Sequence, residues 1–233
     1  MRRGDDADER PNARGSASAE APPSSPGAAP SGTPPAPTRP TAPPLTAAQL
    51  KDLLLTEDEA RRAGSVERTT VQSPVPPYAP GARMAGADCQ GVFEALVARG
   101  SSAWVIQDFW WMGSRWAGRT WLASYAEADA ERRFQRLRDG LTTCRALRGT
   151  TPEGQLDSRV SGVRRPALGD EAVSFALSMT GKDGAVLTDH TYLVRVGPLL
   201  VGVSDRNRPG TPRFPLDHVA DRQLARVEDA PRT

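Results

Sequence analysis

The tryptophan-rich stretch from Ser102 to Tyr125 constrains the fold most strongly, because it contains every tryptophan of the chain. Its first part, SSAWVIQDFWW, is typical of a strand, MGSR of a turn, and WAGRTWLASY of a returning strand. Side chains along a strand point alternately to opposite faces, so the adjacent Trp110 and Trp111 cannot share one face. The hairpin must therefore be covered on both faces, or it leaves an aromatic surface open to a partner.

Three indoles near the predicted turn, Trp110, Trp111 and Trp116, are the candidate ligand-binding residues. Tryptophan rings supply large contact areas and stack on sugars, amines or bases. An unidentified small molecule, a glycan, a lipid or another protein are comparable ligands for such a surface. The alternative is that all five indoles pack internally, as we expect for Trp104 and Trp121 in either case.

Composition divides the chain into a tail and one domain. Residues 1–44 are mostly Pro, Ala, Ser, Gly and charged residues, and they bury too little apolar surface to offset their ordering entropy. We therefore predict a disordered tail over 1–44, a single α+β sensor-like domain over 45–228, and a flexible C-terminus over 229–233. The Pro-rich tail has the character of a semi-rigid spacer.

Helix signals begin directly after the tail. Thr46 and Gln49 form a predicted capping box, and Thr56 and Glu59 repeat the pattern at the start of a second short helix. Four prolines within residues 65–86 predict an extended surface loop, since proline cannot donate to a regular backbone ladder.

The second half of the chain combines helices with neighbouring strands. A helix is predicted over 127–147, and apolar residues alternate with small ones over 172–179, which is typical of a sheet with a covered face. A strand over 186–196 and a turn lead into another strand, and a final helix begins near Pro215. We expect an antiparallel sheet with helices packed on one side, which is an α+β arrangement.

Charge and hydropathy argue against nucleic-acid binding and against a membrane span in this chain. The chain has 30 basic and 28 acidic residues, so it lacks the basic excess typical of nucleic-acid binding. It has no apolar run long enough for a membrane span, and we predict none. No apolar segment follows MRRGDDADER, so no signal peptide is predicted, and a cytoplasmic location is the alternative to an extracytoplasmic one.

The two cysteines flank the tryptophan-rich stretch. Cys89 lies on the apolar stripe of one predicted helix and Cys144 on that of another, so both thiols face the core where the helices could meet. A disulfide and a pair of packed free thiols both satisfy this pattern. A bridge closing this loop would stabilise the domain by roughly 4 kcal/mol in the chain-entropy model.

Catalytic motifs are absent from the sequence. His190 is the first candidate for chemistry, but Asp189 precedes it on a predicted strand, and the two side chains then face opposite ways. No nucleophile elbow, P-loop or metal-ligand spacing occurs, so we predict a non-enzymatic protein without cofactor or metal. A hydrolase remains the alternative if the fold joins His190 to a carboxylate and a hydroxyl in one pocket.

Several short features occur in an order that resembles the extracellular sensor domain of PknH-type actinobacterial serine/threonine kinases and the lipoproteins similar to it. They are the opening LTAAQLKDLLLT, the Cys89 helix, Cys144-Arg145, RPALGDE over 165–171, VRVG over 194–197 and LVGV over 200–203. The resemblance covers residues 45–228. It implies an α+β fold, an extracytoplasmic location, a Cys89–Cys144 disulfide and a cleft for a ligand.

Two departures limit what the resemblance carries over. The kinase sensor domain has a second disulfide, for which this chain has no cysteines. No kinase domain, membrane helix or lipobox cysteine occurs in these 233 residues, so a link to a kinase is not implied. We therefore expect a non-enzymatic extracytoplasmic ligand-binding or sensor-like domain. The alternative is a structural or protein-interaction module of the cell envelope that uses an exposed tryptophan hairpin.

Overall fold

The computed structural model describes residues 43–64, 66–76, 78–181, 184–207, 210 and 212–230, without the side chains of residues 114–116. The disordered tail predicted over 1–44 lies outside the described residues except for its last two positions. The flexible C-terminus predicted over 229–233 is likewise described only as far as Ala230. Both stay predictions.

The described residues form five helices and nine strands. The helices are α1 (Ala47–Asp52), α2 (Glu57–Gly64), α3 (Ala87–Leu96), α4 (Glu127–Thr143) and α5 (Leu216–Glu228). The strands are β1 (Arg68–Gln72), β2 (Arg83–Met84), β3 (Ala103–Trp111), β4 (Ser114–Ser124), β5 (Ala146–Thr151), β6 (Gly154–Arg164), β7 (Glu171–Thr180), β8 (Val186–Val196) and β9 (Leu199–Asp205).

All nine strands join one sheet in the order β1-β3-β4-β9-β8-β7-β6-β5-β2. Every neighbouring pair is antiparallel. The predicted tryptophan hairpin is β3–β4, and β9 pairs with β4 at the centre of the sheet. The α+β class, the single domain and the antiparallel sheet are therefore confirmed.

The helices cover both faces of the sheet, whereas we expected them on one side. Leu122 packs with α1, α2 and α5, while its neighbours Trp121 and Ala123 pack with α3 and α4. We call these the α5 face and the disulfide face. The physical reason is that the central strands are apolar at consecutive positions, as at Leu200 and Val201, so neither face can be left to water.

Local signals positioned the first helices correctly. The Thr46 N–H donates to Gln49 Oε1 at 2.9 Å, and the Gln49 N–H donates back to Thr46 Oγ1 at 3.3 Å. Thr56 and Glu59 exchange the equivalent bonds at 2.8 and 3.2 Å at the start of α2. Both predicted capping boxes are present, and they satisfy backbone donors that a helix leaves unpaired.

A disulfide joins Cys89 of α3 to Cys144, directly after α4, with 5.1 Å between their Cα atoms. The bridge expected from the resemblance is thus present. The two helices approach closely beside it, since a Cβ added at Gly140 would lie 2.6 Å from the Asp88 carbonyl oxygen. The glycine that weakens α4 locally is therefore what allows the helices to meet.

Two predicted boundaries were wrong. The helix expected over 127–147 ends at Thr143, because the chain beyond it pairs with β6 as strand β5. The loop expected over 65–86 contains the two edge strands of the sheet, β1 and β2. Its prolines lie between these strands, where no ladder hydrogen bond is needed.

Candidate functional site

A cleft of about 700 Å³ opens on the α5 face, between the start of α5 and strands β6, β7 and β8. We call it the α5 cleft. Its size is within the range of small-molecule sites. The polar side chains that line it are Arg164, Ser174, His190, Thr191, Tyr192, Asp205, Arg213, Asp217 and His218. Apolar contacts to a ligand are available along the part of the cleft wall formed by Phe214, Pro215 and Leu216.

His190 and Asp205 meet at one side of the cleft. Asp205 Oδ1 accepts the backbone N–H of His190 at 2.9 Å and lies 3.0 Å from His190 Nδ1. The Asp205 side chain is 4 % exposed, so its contacts with the His190 ring and backbone N–H replace most of the hydration that the carboxylate loses on burial. The Asn207 side-chain amide nitrogen lies 3.2 Å from the same ring nitrogen, so Nδ1 faces both residues and Nε2 is free of them.

Tyr192 links the sheet to α5. Its hydroxyl donates to Asp217 Oδ1 at 2.8 Å. Burial raises the pKa of Tyr192, and the hydrogen bond to Asp217 acts in the same direction. The phenol therefore stays protonated at neutral pH and holds the first turn of α5 against β8.

The two arginines of the cleft differ from its acids in being unpaired. Arg164 and Arg213 are exposed, and neither has an ion-pair partner among the described residues. A β-bulge between Ser161 and Arg164 places Arg164 opposite Ser174 of β7. Asp205 and Asp217 each accept a hydrogen bond within the domain, whereas the two guanidinium groups have no ion-pair partner among the described residues.

A second cavity, of about 650 Å³, adjoins the cleft and shares Arg213, Pro215 and His218 with it. We call it the hairpin cavity, because Trp111 and Met112 of the β3–β4 hairpin also line it. Arg213 and Pro215, on either side of Phe214, therefore belong to the walls of both cavities.

Phe214 anchors the segment that the two cavities share. Its ring is buried and stacks on Phe109 with centroids 5.8 Å apart. The ring lies directly over Gly118, where an added Cβ would be 2.3 Å from Phe214 Cε1. Because Gly118 has no side chain, the Phe214 ring can pack against the sheet there and hold this wall of the α5 cleft in place.

The predicted tryptophan site is divided between the faces of the sheet. Trp111 is half-buried on the α5 face, with its ring edge-on to Phe214 at 6.1 Å. Trp110 lies on the opposite face, where the Arg68 guanidinium is 4.1 Å from its ring centroid. The side chain of Trp116 lies outside the described residues. The structure does not bring Trp110 and Trp111 together.

The other two indoles belong to the interior, as expected. Trp121 is 4 % exposed, and Trp104 is half-buried with its ring edge-on to Tyr78 at 4.9 Å. Trp121 also lies over Gly202, where an added Cβ would be 2.1 Å from the indole. These rings therefore support the sheet rather than face a partner.

Asp189 is excluded as the partner of His190, in agreement with the alternation on the strand. Asp189 forms two hydrogen bonds, of 2.9 and 2.7 Å, with Arg206 instead. The true partner, Asp205, was missed by sequence reasoning, although a signal existed. Val196 pairs with Leu199 across the β8–β9 turn, and counting outward along both strands places position 190 opposite position 205.

The described residues show neither a nucleophile nor a metal site at His190. Its ring nitrogen contacts Asp205 and Asn207, and none of the described hydroxyl groups hydrogen-bonds to it. Within the same residues, no three His, Cys, Asp or Glu side chains converge in a way that could hold a metal ion. Among the described helices, none has the length and apolar character needed to cross a membrane.

Comparison with known proteins supports the fold. Neither a protein-family model nor a curated protein matches the sequence. The structure is similar to the crystal structure of the extracellular domain of PknH from Mycobacterium tuberculosis, with a TM-score of 0.58 and 14 % sequence identity. The match covers 81 % of this chain and 99 % of that chain. The expected resemblance is therefore confirmed as a PknH-like fold.

Proposed function

We propose that this chain is a non-enzymatic, extracytoplasmic, sensor-like domain that binds a small anionic ligand in the α5 cleft. The observation that carries the proposal is the pair of unpaired guanidinium groups, Arg164 and Arg213, beside carboxylates that are already engaged. The likeness to an extracellular kinase domain supports a sensor-like role over a catalytic one.

The chemistry of the cleft defines the class of ligand. Guanidinium groups bind carboxylates and phosphates in a planar, two-bonded geometry. His190 Nε2 and the Ser174 hydroxyl are available for hydroxyl groups, and Phe214 offers an apolar surface. A sugar acid or another small hydroxylated carboxylate combines these features in a volume that the cleft accommodates.

The extracytoplasmic location rests on the disulfide and the fold. Structural disulfides persist in oxidising compartments and are rare in the cytosol of most organisms. The Cys89–Cys144 bridge joins α3 to the end of α4 within the buried cluster of the disulfide face, which is typical of a structural bridge. Alkylation of protein taken from its native compartment tests the location, because free thiols there would contradict it.

Titration with glucuronate, using glucose as its neutral counterpart, tests the proposed site. Wild-type protein should bind glucuronate in calorimetry, and glucose should bind far more weakly. The double variant Arg164→Gln/Arg213→Gln should weaken glucuronate binding by about tenfold or more, since charge-assisted hydrogen bonds contribute most of the affinity. Arg61→Gln/Arg148→Gln is the matched control, because it also removes two exposed guanidinium charges, at residues that pair with Asp58 and Asp157 and do not line the cleft.

Two results would reject the anionic ligand class. One is equal affinity for glucuronate and glucose. The other is an equal loss of affinity in Arg164→Gln/Arg213→Gln and in Arg61→Gln/Arg148→Gln, which would show that only overall charge matters.

The hairpin supports a second candidate, a protein-interaction module. Met112 is 63 % exposed and adopts a φ of 48°, which costs free energy for a residue other than glycine. It adjoins Trp111 at the hairpin cavity, and Trp110 and Trp116 lie on the same hairpin. A photoreactive amino acid at position 112 should then cross-link one defined envelope protein, and Trp111→Ala should abolish the product. Cross-linking that is unchanged by Trp111→Ala would reject this candidate.

A further inference from the structure

A third cavity, of about 260 Å³, lies on the disulfide face, far in the fold from the α5 cleft. We call it the arginine cavity. Gly100, before β3, and Tyr125, between β4 and α4, form one side of it. The other side consists of successive turns of α4, and the residues there are Asp129, Arg132, Arg133 and Arg136.

The charges around the arginine cavity are unbalanced. Three guanidinium groups line it against a single carboxylate, that of Asp129. Arg132 pairs with Asp129, and Arg133 donates to Glu94 at 2.6 Å. Arg136 is exposed and has no ion-pair partner among the described residues. The cavity therefore has a positive potential and one free guanidinium group.

Tyr125 supplies a buried donor at the same place. The residue is 1 % exposed, and its hydroxyl has no hydrogen-bond partner among the described residues. Burial raises the pKa of Tyr125 and outweighs the opposite effect of Arg133, so the phenol is a neutral donor at physiological pH. A buried hydroxyl without a partner is uncommon in folded proteins and requires an explanation.

Gly100 leaves space at the edge of the cavity. Its φ is +79°, and an added Cβ would lie 3.2 Å from Arg133 Nη2. A side chain at this position would therefore press on the guanidinium group. Glycine both adopts this backbone conformation without strain and keeps the arginine accessible.

We propose that the arginine cavity binds a small oxyanion between Arg132 and Arg136, with the Tyr125 hydroxyl as the buried donor. The volume accommodates a phosphate, a sulfate or the phosphate of a larger molecule. The anion supplies acceptors for the free guanidinium group and for the phenol, which the described residues leave unsatisfied. This site is independent of the ligand proposed for the α5 cleft.

Inorganic phosphate is the probe, followed through the backbone amides of Gly100 and Tyr125 by nuclear magnetic resonance on the full chain. Wild-type protein should show saturable shifts at these amides. Arg136→Gln and Tyr125→Phe should each weaken phosphate binding by about tenfold, as expected for the loss of a charge-assisted hydrogen bond. Tyr125→Phe should keep or raise the melting temperature, because it removes a donor that is unsatisfied without the anion.

Arg138→Gln is the matched control, because it removes the same charge from α4 at a residue that pairs with Glu171 outside the cavity. It should bind phosphate as wild type does. Vesicles of phosphatidylglycerol, compared with phosphatidylcholine, distinguish a lipid headgroup from a free anion as the source of the phosphate. Binding that depends on Arg136 in either form supports the proposal.

Absence of saturable shifts with phosphate, together with absence of vesicle binding, would overturn the proposal. Equal losses in Arg136→Gln and Arg138→Gln would overturn it as well, because they would indicate a diffuse charge effect. The outcome is separable from that of the α5 cleft, since Arg164→Gln/Arg213→Gln should leave the phosphate shifts at Tyr125 unchanged.

Discussion

Reduction of the Cys89–Cys144 bridge should lower the stability of the domain without unfolding it at 25 °C. The cysteines are 55 residues apart, and closing a loop of that length removes about 14 cal/mol/K of entropy from the unfolded chain, or about 4 kcal/mol. Other contacts between α3 and α4 do not depend on the bridge, including the 2.5 Å hydrogen bond from Thr143 Oγ1 to Asp88 Oδ2. For a domain with about 5–15 kcal/mol of stability, the loss is large but tolerable.

Urea titration of oxidised and reduced wild-type protein measures this loss without changing any side chain. Tryptophan fluorescence, to which the buried Trp121 contributes, reports unfolding of the sheet, because all five indoles lie on the β3–β4 hairpin. For an m-value of about 2 kcal/mol/M, the midpoint should fall by about 2 M on reduction. Identical midpoints in the oxidised and reduced protein would refute the reasoning, as would unfolding of the reduced protein in buffer alone.

Three further predictions concern packing and charge. Gly140→Ala should lower the free energy of unfolding by about 1–3 kcal/mol, because its Cβ would meet a backbone oxygen of α3 at 2.6 Å. Gly91→Ala, whose added Cβ would have no neighbour closer than 3.7 Å, should instead raise the free energy of unfolding by about 1 kcal/mol. Denaturant titrations in which the two variants change stability in the same direction would contradict this. Trp121→Ala should cost about 3–5 kcal/mol and half-buried Trp111→Ala clearly less, which thermal unfolding can rank. Burial acts to raise the pKa of Glu94, but hydrogen bonds and the charges of two arginines outweigh burial and lower this pKa. The ionised Glu94 should therefore stabilise the fold fully above about pH 5, and this contribution should disappear as the pH falls through the lowered pKa. Glu94→Gln should flatten that part of the curve of unfolding free energy against pH.

Much of the fold could be predicted because its signals are local. The capping boxes at Thr46 and Thr56 depend on residues three positions away, and the β3–β4 hairpin depends on alternation around one turn. Strand β1 has no such signal, since four of its five residues are exposed and only its pairing with β3 makes it a strand. Leu147 continues the apolar spacing of α4, but it is buried as part of β5 instead.

The candidate site was less predictable because it forms between elements that are distant in sequence. His190 could be named as a candidate from its residue type alone, whereas its contact with Asp205 depends on the register of β8 with β9. That register could have been counted from the turn. The place of Arg164 in the cleft could not be predicted, because it depends on the bulge in β6. The place of Arg213 could not be predicted either, because it depends on where α5 crosses the sheet.

Amide hydrogen exchange with and without glucuronate tests the central claim, that the α5 cleft is the ligand site. Exchange should slow at residues 162–164, 190–192 and 213–217, which line the cleft, and stay unchanged across residues 110–113 of the hairpin. Slowing confined to the hairpin, or no change anywhere in the presence of saturating glucuronate, would contradict the account.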